Sequence, residues 1–211
     1  MKEIISSVMI CISALGLATT YPLKVIGNGK VIGHGTFSST ISGHLVTQVL
    51  AITVSGPAGT ESIDQVQAYK SDGTPTMAEF KVYSSGKEGV VQVKYHGRTA
   101  LAEVSSGTHK YSRTLLAPGK LPVKDPSSAW FVFTHPKVGA KVTTNSFDAQ
   151  SLIWTKQTST YVKDEKLSID GHTYMTHEVK IVSGSSKSIA FLDNQGNIVK
   201  ALIGGLTIER K

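Results

Sequence analysis

Cysteine is almost missing from this chain. The 211 residues contain one, Cys11, and it lies in an N-terminal apolar run. Disulfide frameworks, thiolate catalysis and cysteine-ligated zinc are excluded together. Ile10 precedes Cys11, where a lipoprotein-processing site needs a small residue. Acidic residues are also scarce, 15 against 22 Lys and Arg for a net charge of +7. The imbalance concentrates between Gly86 and Lys124, where Lys87, Lys94, Arg98, Lys110, Arg113, Lys120 and Lys124 face only Glu88 and Glu103. A nucleic-acid surface would gather such cations on one face with aromatics between them. Here they alternate with apolar residues, as solvated strand faces do, so no nucleic acid is expected. What such charge does favour is anionic lipid, glycan or cell wall.

Nucleotide and acyl-transfer signatures are lacking as well. No G-x-S-x-G elbow occurs, and Ser84 to Lys87 (SSGK) matches Ser-x-x-Lys only inside an apparent hairpin turn, whereas the functional motif opens a helix. The pairs Gly29-Lys30, Gly86-Lys87 and Gly119-Lys120 lack the upstream glycine and the following Ser or Thr of a phosphate-binding loop. No catalytic residue and no cofactor site is expected.

What is there begins with MKEIISSVMICISALGLATT. One Lys, an apolar run from Ile4 to Leu17 and small residues near Ala18 have the layout of a secretory signal peptide over residues 1–18. The run is shorter than the about 20 residues that a membrane-spanning helix needs. Export to the periplasm or the extracellular space is the expectation. Residues 19–211 then form a single all-β domain, long enough to bury roughly 70% of its unfolded surface.

Nearly every later segment has period two. In VVQVKYHG, Val91, Val93 and Tyr95 alternate with Gln92, Lys94 and His96. In YMTHEVKIV, Met175, His177, Val179 and Ile181 alternate with Tyr174, Thr176, Glu178 and Lys180. Both patterns describe half-buried antiparallel strands. Turn residues punctuate the chain at short intervals, as in SDGTP at 71–75, SSGKEG at 84–89 and DNQGN at 193–197. The spacing predicts an antiparallel meander of about a dozen strands, forming a strongly curved sheet or half-barrel. Long helical periodicity is missing, with one exception. In DPSSAWFVFTHP, Asp125 can cap, Pro126 can take the first helical position and Pro136 ends the run, which predicts one short helix near 127–131.

The stretch KVIGNGKVIGHG, Lys24 to Gly35, repeats six residues almost perfectly. A dinucleotide fingerprint would need a third glycine at Ile32, and a solenoid would need the hexad to continue past Gly33, where Ser38-Ser39 occupy the register instead. A strand pair whose glycines permit tight bending or close backbone approach remains.

Seven histidines are present without convergent spacing. His172 and His177 are five apart and fall on opposite faces of a regular strand, so no metal site is expected and His177 reads as a hydrogen-bonded core residue. DNQGN lacks the glycine and closing glutamate positions of a calcium loop and reads as a turn. The densest aromatic group is Trp130, Phe131 and Phe133, with Phe147 and Trp154 downstream. These five either fill the core or line an apolar cavity beside the short helix.

The order WFVFTHPKVG, NSFDAQSLIWTKQTSTYV, IDGHTYMTHEV and IAFLDNQGNIVKAL, over roughly residues 126 to 203, resembles the tail of uncharacterised secreted β-rich proteins related to the outer-membrane lipoprotein-carrier half-barrel superfamily. The shared pattern is a Trp before P-x-x-G, a Trp-bearing strand, a Gly-aromatic hairpin and a closing D-x-x-G hairpin. The resemblance implies an antiparallel half-barrel without catalysis and, in some members, an acyl-chain cavity under a helical lid. Three functions follow as expectations. The first is an exported non-enzymatic protein that binds an apolar or amphipathic ligand, such as a lipid, or an envelope component, with Trp130, Phe131, Phe133, Phe147 and Trp154 as ligand-binding residues. The second is a structural or interaction protein that pairs with an envelope partner by edge addition, marked by a filled interior and an uncovered edge strand. The third is an envelope hydrolase, marked by a carboxylate pair or a His–carboxylate pair, such as Asp148, Asp193 or Glu178 near His177.

Overall fold

The computed structural model describes residues 19–56, 59–124, 130–131, 134–194 and 196–211. Residues 1–18, expected to be a signal peptide, most of the helix expected near 127–131, and Phe133 lie outside the described residues. Fourteen strands follow one another: β1 (Thr19–Gly27), β2 (Lys30–Ser42), β3 (Leu45–Gly56), β4 (Gly59–Lys70), β5 (Pro75–Ser84), β6 (Lys87–His96), β7 (Thr99–Ser106), β8 (His109–Leu116), β9 (Lys141–Asp148), β10 (Ile153–Ile169), β11 (His172–Ser183), β12 (Ser186–Leu192), β13 (Ile198–Ile203) and β14 (Leu206–Arg210).

All pair in one antiparallel sheet with the order β8-β7-β6-β5-β4-β3-β2-β1-β14-β13-β12-β11-β10-β9. The expected meander is therefore the fold, with β1 joined to β14 and the two edges, β8 and β9, contributed by the middle of the chain. The sheet does not close into a barrel. Between those edges, Trp130, Phe131 and Thr134 are helical, and the His135 N–H donates to the Phe131 carbonyl at 3.2 Å.

The opening repeat is the β1–β2 hairpin. Asn28 and Gly29 both have positive φ, 50° and 73°, which is the two-residue turn whose twist matches that of the strands. Gly33 and Gly35 have a different reason to be glycine. A Cβ on Gly33 would lie 2.2 Å from the Thr53 carbonyl oxygen, and one on Gly35 would lie 2.4 Å from that of Ala51. The β2 backbone crosses β3 too closely for any side chain there.

Cross-strand partners share a face, so the face of each residue can be followed strand by strand. Ala102, Val93, Ala78, Gln67, Gln48 and Ser39 form one such row from β7 to β2. The same face continues through Phe37, Tyr21, Leu23 and Val25 to Ile208, Ala201, Ala190, Val179 and Tyr161. It is the inner face: Phe37, Leu50, Val25, Ile208, Ala190, Val179, Tyr161 and Phe131 pack into one buried core. On β9 and β10 the inner face carries Thr144, Gln157 and Ser159, which leaves Phe147 and Trp154 on the back. Yet Phe147 and Trp154 pack against Ala78, Val93, Ala100 and Ala102, inner-face residues of β5–β7. The sheet has rolled past closure like a scroll, with β9–β10 tucked inside β5–β7. Alanines on the outer turn leave room for the two large rings.

Gly33→Ala should destabilise the protein by about 2–3 kcal/mol, the cost of forcing atoms into a packed contact. Gly29→Asn, at an open turn position with the same handed backbone, should cost much less. Urea denaturation of the two variants beside the parent checks the order.

Candidate functional site

Three places carry the chemistry-bearing residues: the seam where the scroll overlaps, a polar cluster at a bulge in β10, and the outer edge strand.

At the seam, Trp154 and Phe147 are cross-strand partners with ring centroids 5.1 Å apart, and Tyr95 meets them edge-on at 6.3 and 6.2 Å. The Trp154 indole Nε1 donates to the Leu115 carbonyl at 3.1 Å, fastening the inner strand to β8. Residues 117–124 then run along the free edge of β9. The Asn145 N–H donates to the Pro122 carbonyl at 2.8 Å, beside a parallel bridge between Val123 and Asn145. The Asn145 side-chain amide donates to the carbonyls of Pro118 and Leu121. Arg98 completes the fastening: its guanidinium donates to the carbonyls of Leu121 at 2.7 Å, Ala117 at 2.8 Å and Pro118 at 2.9 Å, and to that of Gly119. Lys124 anchors the far end, donating to Asp72 at 2.7 Å and Thr74 at 2.8 Å in the β4–β5 turn. The space left between Ala78, Tyr95, Phe147 and Trp154 is about 20 Å³, room for a single water and too little for an acyl chain.

Four of the five aromatics named from the sequence thus go to two places, Phe133 lying outside the described residues. Phe147 and Trp154 form the seam. Trp130 and Phe131 belong to the main core, where the Phe131 ring meets Tyr161 at 5.0 Å and His177 at 4.7 Å.

The polar cluster is built by a bulge between Tyr161 and Lys163. The extra residue brings Tyr161 and Asp164, three apart, to one face, a common use of bulges. Asp164 accepts from the Tyr161 hydroxyl at 2.5 Å and bonds His177 Nδ1 at 2.5 Å. His177 Nε2 is 2.9 Å from the Asn194 side-chain oxygen. The Tyr161 hydrogen bond, then that of His177, hold the Asp164 carboxyl below its ordinary range. Burial first, and Asp164 second, push the Tyr161 phenol up to about 12. This is the His–carboxylate pair sought from the sequence, with a different carboxylate. Asp148 is turned to Gln150 and Ser151, Asp193 to Asn197 and Arg210, and Glu178 to Lys163 and Lys180. Both nitrogens of His177 are engaged within the cluster, so it ties β10 and β11 to the β12–β13 turn; it is hydrogen-bonded as expected, but its side chain is 20% exposed and lies at the margin of the core. Among the described residues, no group of three or more His, Cys, Asp or Glu side chains could hold a metal ion.

Between the apolar clusters the inner face is polar. Gln48 and Ser159 are 3% and 1% exposed, and neither side chain has a hydrogen-bond partner among the described residues, which makes them a costly part of the interior.

The edge strand β8 is the feature that the sequence reading missed. All of its residues except Leu115 are exposed, with Tyr111 at 50% and Leu116 at 71%. The Ala117 N–H donates to the Arg98 carbonyl at 2.8 Å, and the register continues unshifted from there. Alternation along an antiparallel pair therefore turns the backbone groups of Tyr111, Arg113 and Leu115 toward β7 and those of Lys110, Ser112, Thr114 and Leu116 outward. Among the described residues none of these outward backbone groups has a partner. The other edge, β9, is covered at Asn145.

No protein-family model matches this chain, and no curated protein matches it. Among solved structures it is similar to a beta-barrel-like protein of domain of unknown function DUF1849 from Brucella abortus. That likeness has a TM-score of 0.62 at 13% identity, over 92% of this chain and 95% of that one. It is also similar, with a TM-score of 0.44 and 13% identity over 89% of this chain and 92% of that one, to a DUF1089 family protein from Pseudomonas aeruginosa. The first likeness establishes a shared β-barrel-like fold.

Two predictions test the seam. Arg98→Met, which keeps the apolar stem and removes every donor, should cost about 2–3 kcal/mol in urea unfolding because several carbonyls lose a charged partner. Lys124 and Thr74 hold the Asp72 carboxyl down to about 2 from 3.8, so their tie stabilises the fold above about pH 4 and is lost as pH falls through about 2. The Asp72 side chain is 62% exposed, so Asp72→Asn should cost under about 1 kcal/mol at pH 7. At pH 2 the variant and its parent should unfold at nearly the same urea concentration.

Proposed function

We propose that this chain is an exported, non-enzymatic interaction protein of the cell envelope that receives an extended segment of a partner along the outer edge of β8. The observation that carries the reading is the outward row of backbone groups at Lys110, Ser112, Thr114 and Leu116, unpaired among the described residues, on a strand exposed along nearly its whole length. Natural sheets cover, shorten or bend their edges, because an open edge templates another strand. Residues 117–124 cover β9 at Asn145, and among the described residues nothing comparable covers β8. The packed seam favours the same reading over the binding of an apolar ligand there: the overlap of the scroll is packed by Phe147 and Trp154, and its cleft is about 20 Å³. Export rests on the composition of residues 1–18. The DUF1849 likeness supports a β-barrel-like scaffold for such a role.

Ser112 offers a clean test. Its N–H points away from β7, so Ser112→Pro removes no ladder bond within the protein but blocks an added strand. Native mass spectrometry of the protein purified from its host envelope without detergent should show a protein partner with the parent chain, and at least a tenfold lower occupancy with Ser112→Pro at unchanged thermal stability. An adduct of lipid mass that solvent extraction removes, retained by Ser112→Pro, would replace this reading with that of an apolar-ligand carrier.

A further inference from the structure

We infer that the β8 edge selects a partner strand with acidic residues three positions apart, an apolar residue and an uncharged polar residue lying between them. This rests on the strand-addition reading and specifies the partner's chemistry. A strand added to β8 lies about 4.8 Å away with its side chains beside those of its neighbours. Lys110 sits on the outer face, at the end of a cross-sheet row that runs Lys81, Val90, Ser105, Lys110. Arg113 sits on the inner face beyond Ala102, its guanidinium 5.7 Å from the centre of the Tyr111 ring. Neither Lys110 nor Arg113 has an ion pair among the described residues. Lys24, Lys81, Lys124, Lys163, Lys180, Lys200 and Arg210 do, whereas Lys87 and Lys94 on nearby β6, like these two, have none among the described residues.

Two cations held at a bare edge without anions act in two ways. They oppose pairing with a second copy of this chain, because a β8–β8 ribbon would gather the Lys110 and Arg113 charges of both copies along one narrow strip. They favour a strand with a carboxylate beside each of them. Between the two, the exposed Tyr111 ring offers apolar contact on the inner face. Ser112 lies on the outer face beside Glu103, which repels a carboxylate at that position. Opposite residues 110 to 113 the partner therefore reads acidic, apolar, uncharged polar, acidic. An open groove of about 550 Å³ over Lys81, Val90, Ser105 and Lys110, with Glu103 beside Ser112, continues the outer-face row.

The experiment uses the purified chain and three synthetic β-hairpin peptides whose free strand carries this pattern with Glu, with Gln in place of Glu, or with Lys in place of Glu. Fluorescence anisotropy at low and physiological salt gives the affinities, and hydrogen exchange gives the protected amides. The Glu peptide should bind roughly five- to tenfold more tightly than the Gln peptide at low salt, with the difference shrinking as salt rises, and should protect the amides of Lys110, Ser112 and Thr114. The double variant K110E/R113E, altered only at exposed positions, should prefer the Lys peptide. Equal binding of the Glu and Gln peptides with β8 protected would overturn the charge selection and leave strand addition standing. No protection of β8 by any of the three peptides at millimolar concentration would overturn strand addition itself.

Discussion

Arg98 holds the carbonyls of Ala117, Pro118, Gly119 and Leu121 on one guanidinium, and that clamp determines what becomes of both sheet edges. The segment it fixes lies against β9, supplies the carbonyl that Asn145 bonds, and ends at Lys124, where Asp72 and Thr74 pin it to the β4–β5 turn. With β9 covered, the scroll can overlap without pairing its two edges. The overlap is then stabilised by burial: Phe147 and Trp154 give their back-face area to the alanines and Val93 of β5–β7, at roughly 25 cal/mol per Å² of apolar surface. The same geometry leaves β8 outermost, with no strand beyond it among the described residues.

The other junction is made by the chain ends. β1 and β14 pair over Leu23 to Gly27, and side chains reinforce the ladder across them. Lys24 bridges Asp170 and Glu209, Lys200 also reaches Glu209, and the buried Arg210 stacks 4.0 Å from the centre of the Tyr21 ring while bonding Asp193. The charges of Lys24, Lys200, Glu209 and Arg210 around β1 and β14 are thus consumed by the fold. Those of β8 are not, so the positive balance of the middle of the chain becomes a surface property of one edge.

How much of this was legible depends on range. Period-two alternation and the glycine-marked turns report local backbone, so the meander, the KVIGNG hairpin, the SSGK turn and the DNQGN turn could be read directly. Turn spacing gave about a dozen strands where the structure has fourteen. The aromatic group could not be resolved in sequence: Phe147 and Trp154 occupy the back of their strands, and only the overlap of β9–β10 beneath β5–β7 buries that side. Asp164 was invisible as the partner of His177, since it reaches that face through a bulge that period-two counting does not register. The open edge was equally hidden, because which strand ends a sheet is set by non-local pairing.

Residue-resolved hydrogen exchange of the isolated protein distinguishes an open β8 edge from a β9 edge covered at Asn145. Exchange should be fast at Ser112 and Thr114, slow at Tyr111 and Arg113 on the same strand, and slow at Asn145, with no dependence on protein concentration. Protection of Ser112 and Thr114 equal to that of Tyr111 and Arg113 would contradict the open edge, because those amides would then already be paired.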